Sequence, residues 1–66
     1  MTDEQIEQAY SACMDSVNLI NAGQPEGVSA EDWADMLARN KEHLQHMLTK
    51  DFWTGQDLSP LQAAAS

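Results

Sequence analysis

Apolar positions recur along this chain at helical rather than strand spacing. Ile6, Ala9, Tyr10, Cys13, Val17 and Ile20 follow one another at steps of three, one, three, four and three, which puts them on one face of an α-helix. Met14 widens that stripe and Leu19 lies off it, while Glu4, Gln8, Ser11, Asp15 and Asn18 make the opposite, polar face. A second stripe reads Trp33, Met36, Leu37, Asn40, Leu44, Met47 and Leu48. Trp33 to Trp53 is the longest stretch with a clean helical period, and it holds both histidines and all three basic residues.

Local end signals bracket these stripes. Thr2 and Gln5 have capping-box spacing, with Asp3 and Glu4 in the first turn where the helix dipole favours anions. Gly23 suits a left-handed position after a helix, and Gly23 to Val28, GQPEGV, breaks any continuing helix. Ser29 and Asp32 form a second capping pair, with Val28 and Trp33 in hydrophobic-staple positions. Further on, Thr54-Gly55 is a turn signal. Ser59 as N-cap, Pro60 at N1 and Gln62 at N3 then start a short third helix. The predicted elements are a helix over about 3–22, a loop over 23–28, a helix over about 30–50 and a short helix over about 60–65.

The fold class expected from this pattern is all-α, in one helical domain. A short loop between two long helices makes them antiparallel neighbours, so the expected architecture is an antiparallel two-helix hairpin with a short C-terminal third helix. The acids Asp3, Glu4 and Glu7 and the bases Arg39, Lys41 and Lys50 would lie at matching ends of such a hairpin. Sixty-six residues bury only about 60% of the unfolded surface. A two-helix hairpin also leaves apolar area open. The expectation is therefore a homo-oligomer, a dimer resembling a four-helix bundle, or a place in a larger assembly. A third helix folded back through Leu58 and Leu61, with Phe52 and Trp53 as its floor, is the route to a monomer.

Charge narrows the partners. Eleven Asp and Glu oppose three Lys and Arg, a formal net charge of −8. Phosphate backbones and anionic membrane surfaces repel such a chain, so direct nucleic-acid binding is not expected. No apolar run approaches a membrane span or a signal peptide, and a cytoplasmic or virion location is expected. Solvation is the ordinary role of such a charge, and binding to a basic, nucleic-acid-binding surface of another protein is the functional one.

Candidate chemistry is sparse. His43 and His46 share a helix flank, but a metal site needs three or four ligands and HExxH is absent, so no metal or other cofactor is expected. Cys13 stands on the apolar stripe, where a free cysteine acts as a small hydrophobe, and it has no orienting group beside it. There is no Lys-Ser or Lys-Thr phosphate loop. An enzyme is not expected, and no residue is assigned a catalytic role. The candidate partner-contacting residues are Phe52, Trp53, Asn40 and Leu58. Phe52 and Trp53 are adjacent large aromatics that point in different directions, and either burial or an interface anchor accounts for them. Asn40 interrupts an apolar seam, where a polar residue selects register or partner, or else lies at the stripe edge.

The segment Arg39-Asn40-Lys41-Glu42-His43-Leu44-Gln45-His46-Met47-Leu48, continued by Lys50-Asp51-Phe52-Trp53 and Asp57-Leu58-Ser59-Pro60-Leu61-Gln62, carries a resemblance. It resembles the C-terminal half of small proteins encoded by tailed bacteriophages and prophages. The similarity spans about residues 33–63 and leaves out the first helix. It implies a phage setting and a packing unit of helix, aromatic end and proline-started helix, with no catalytic residues. Two functions are expected on this basis. The first is a virion-associated or assembly accessory component acting by protein–protein contacts. The alternative is an acidic inhibitor or regulator that binds a basic surface of a host protein.

Overall fold

The computed structural model describes all 66 residues and contains three α-helices and no strand: α1 (Asp3–Ala22), α2 (Ala30–Leu48) and α3 (Ser59–Ala65). Each helix packs against both others, in a body measuring 39 × 18 × 17 Å.

Backbone chemistry explains the helix ends. At the start of α1 the Thr2 N–H donates to Gln5 Oε1 at 3.0 Å, and the Gln5 N–H donates to Thr2 Oγ1 at 3.2 Å. Two otherwise orphaned donors are thereby satisfied reciprocally. Gly23 ends the helix at φ 81°, a region that L side chains rarely enter. At α2 only half of the capping pair forms: Ser29 Oγ accepts from the Asp32 N–H at 3.1 Å. Trp33 is buried and Val28 half-buried at this end. α2 closes at Leu48, where the Thr49 N–H turns back to the carbonyls of His46 and Met47.

The third helix starts differently from the sequence expectation. Ser59 is its first residue rather than its cap, and Leu58 occupies the cap position without a side-chain bond. The capping oxygen comes from Asp57, whose Oδ1 accepts the Ser59 N–H at 3.0 Å. This is an Asx-type turn, in which a short carboxylate reaches the backbone two residues on. A charged acceptor is also better matched to the positive end of a helix than a hydroxyl.

The core is a cluster of Cys13, Val17, Leu44, Leu61, Ala64 and Ala65. Leu44, Leu61 and Cys13 are fully enclosed. Burying each leucine contributes about 1.5–3 kcal/mol. Tyr10, Met14, Met47, Trp53 and Leu58 pack around this cluster. Half of it comes from α3, whose Leu61, Ala64 and Ala65 fall at helical spacing on one face. Met1 is the only large apolar side chain left exposed. Leu19, Met36 and Leu37 stay half-buried outside this cluster.

The expected charge pairing between the first two helices does not form. The one ion pair, Arg39 Nε to Asp35 Oδ2 at 3.1 Å, lies within α2 with both side chains exposed. Such an i,i+4 pair contributes about 0.3–0.5 kcal/mol.

Candidate interaction surface

The candidate residues from the sequence fall into different settings. Trp53 is half-buried and packs on the core cluster. Its indole Nε1–H donates to the Met47 carbonyl at 3.1 Å, and its ring meets Tyr10 edge-on with centroids 6.2 Å apart. A half-buried indole needs such a partner for its N–H, and the Met47 carbonyl, in the last turn of α2, accepts it alongside the Lys50 N–H at 3.2 Å. Phe52 lies tilted on Trp53 at 4.7 Å and is not among the side chains packed on the core cluster. Leu58 packs on the same cluster as Trp53. Asn40 stands apart from this aromatic corner. Its Nδ2 donates to the Met36 carbonyl at 2.8 Å, one turn back in its own helix.

Tyr10 is the residue that sequence reading left as one more position on a stripe. Its hydroxyl donates to the Asp57 carbonyl at 2.7 Å. The tyrosine thereby holds the connection between α2 and α3 against α1. Ser16 was also missed: it is buried on the α1 face between Cys13 and Val17. The signal for Ala64 and Ala65 was present, since they stand three and four residues after Leu61.

The surface is dominated by carboxylates. All eleven Asp and Glu side chains are exposed, and ten of them have no basic group within ion-pair distance. α1 carries Asp3, Glu4, Glu7 and Asp15 and no basic residue. Among the bases, Arg39 is engaged with Asp35, and Lys41 Nζ donates to the Ser66 carbonyl oxygen at 3.1 Å. The carboxyl of Asp57 is held below its usual range by the backbone N–H and the side chain of Ser59.

Chemistry-bearing side chains are dispersed. His43 and His46 are exposed on α2, whereas Cys13 is enclosed in the core, where burial pushes its thiol pKa up. A protonated, enclosed thiol is a packing group. No three His, Cys, Asp or Glu side chains converge in a way that holds a metal ion. The surface has no enclosed cleft, and no side-chain nitrogen or oxygen shut off from solvent lacks a hydrogen-bond partner. No helix is long and apolar enough to cross a membrane.

No protein-family model, curated protein or solved structure matches this chain.

Proposed function

We propose that this chain works by protein–protein contact, presenting its carboxylates to a basic surface of a partner of the kind that otherwise binds nucleic acid. The observation that carries this reading is the exposure of all eleven carboxylates, ten of them without a basic partner, on a body where Met1 is the one large apolar side chain left mostly exposed. Unpaired charge of one sign steers an oppositely charged surface into encounter and repels phosphate backbones. The protein acts without catalysis or a cofactor, as a regulator or inhibitor in the cytoplasm of the host cell.

Within this reading α1 and α2 form an antiparallel hairpin closed by α3. Its support is the meeting of Trp53, just beyond the end of α2, with Tyr10 of α1, together with the shared burial of Cys13 and Leu44. Phe52 is the aromatic side chain best placed to touch the partner, because it rests on Trp53 outside the core. A virion-associated or assembly role is the second reading, supported by the resemblance of residues 33–63 to phage-encoded proteins. The charged surface favours the first.

The test is capture with the tagged chain from host-cell extract, with and without purified virions, at low and high salt. The expected result is a basic nucleic-acid-binding protein retained at low salt and released both by added salt and by competing duplex DNA. Retention of virion components alone, or of a partner indifferent to salt and DNA, overturns the basic-surface reading.

A further inference from the structure

We propose that α3 is an exchangeable strap, hinged at Gly55, that closes the groove between α1 and α2 of its own chain or the same groove of a second copy.

The groove and its occupant are both visible in one molecule. Cys13, Val17 and Leu44 form the floor, and Leu61, Ala64 and Ala65 of α3 fill it. At the far end two α2 side chains hold the last backbone carbonyls of the strap. Gln45 Nε2 donates to the Ala65 carbonyl at 2.9 Å, and Lys41 Nζ donates to the Ser66 carbonyl oxygen at 3.1 Å. A second copy carries the same α3 and the same groove, so exchange reproduces every one of these contacts.

The hinge lies between two fastened points. Trp53 is tied to α2 through the Met47 carbonyl, and Asp57 is tied to α1 through the Tyr10 hydroxyl. Between them Gly55 is exposed and turns the chain at φ 93°. A Cβ built on Gly55 meets nothing within 4 Å, and the Thr54 N–H donates to Gln56 Oε1 at 2.7 Å across the turn. Straightening it sends α3 away from its own groove. The whole connection, Thr49 to Leu58, is ten residues without helix or strand. Beyond the fastened Trp53, the stretch from Thr54 to Leu58 reaches about 17 Å when extended, comparable to the 17–18 Å width of the body.

The α3 groove is an apolar contact that a second copy satisfies in full.

The test compares wild type with Gly55→Val. A β-branched side chain at this φ is strained in the closed turn and relaxed in a straightened hinge, while all α3 contacts are unchanged. Light scattering follows the mass with rising concentration. Nuclear Overhauser contacts are then recorded on a mixture of isotope-labelled and unlabelled chains. The expected result is a doubling of mass at high concentration, reached at lower concentration by Gly55→Val. Contacts between Leu61 methyls of one chain and Leu44 or Val17 methyls of another should accompany it. Wild type alone carries the test if the variant does not fold. Monomeric mass at every concentration, or a dimer in which Leu61 meets Leu44 only within one chain, overturns the proposal.

Discussion

Tyr10 donates its phenolic hydrogen to the carbonyl of Asp57 at 2.7 Å, across 47 residues of sequence. The same ring stands edge-on to Trp53, so one side chain of α1 grips the connection on both sides of Gly55. The connection and α3 are therefore positioned by a contact that neither of them encodes locally.

Replacing Tyr10 separates the two grips. Tyr10→Phe keeps the ring and loses the hydrogen bond, which costs about 0.5–1.5 kcal/mol. The lower half of that range is expected, because the bond is exposed and water can replace it. Tyr10→Ala also removes the ring from Trp53, a further loss of about 0.5–1.5 kcal/mol beyond area burial. Urea denaturation followed by circular dichroism measures both. Equal losses in the two variants would show that the ring contact contributes nothing.

Leu44 is fully enclosed at the meeting point of all three helices. Leu44→Ala should cost about 2–5 kcal/mol, and cores of this size rarely supply more than about 3–5 kcal/mol in total. The alanine variant is expected to lose most of its helical circular dichroism at room temperature. Leu44→Met conserves volume and should stay folded, with a loss below about 1.5 kcal/mol. A folded, cooperative Leu44→Ala protein would mean that the core has far more stability than its size suggests.

Asp57 links stability to pH. Its folded carboxyl titrates below the ordinary value of 3.8, owing to its hydrogen bonds from Ser59. A depressed carboxylate stabilises the fold fully above the unfolded value, and this is lost as pH falls from there through the folded value. Asp57→Asn keeps an acceptor oxygen but has no charge to titrate. The gap in melting temperature between wild type and Asp57→Asn should be constant near neutral pH and shrink as pH falls below 3.8. A gap that stays constant through that range would remove Asp57 as the capping carboxylate.

Asn40 offers a test of register against local bonding. Its amide reaches the Met36 carbonyl of its own helix rather than a polar group on a neighbouring one. Asn40→Leu is therefore expected to change stability by no more than about 1 kcal/mol, with no change in mass by light scattering. A new oligomeric state in this variant would assign Asn40 the register-selecting role.

The two halves of the candidate site differ in how far the sequence revealed them. The carboxylate surface was visible in advance, because charge is additive and long acidic side chains seldom find enough buried partners to leave water. The aromatic corner was visible only as a pair, Phe52 and Trp53. Which of the two packs on the core depends on Tyr10 and Met47, brought there by the fold. The cap of α3 escaped for a smaller reason. Ser59-Pro60 is a good local start signal, but Asp57 competes for the same N–H with a charged oxygen.

By itself the sequence determined the all-α class, because capping, helical periodicity and glycine turns act within a few residues and need no distant partner. It likewise determined the sign of the surface. Only the tertiary structure decided that the small face of α3, with Ala64 and Ala65, meets Cys13 and Leu44, and that Tyr10 fastens the Asp57 connection. Those outcomes depend on which faces meet across long stretches of chain, and small residues such as alanine declare a preference only once a neighbouring helix comes close.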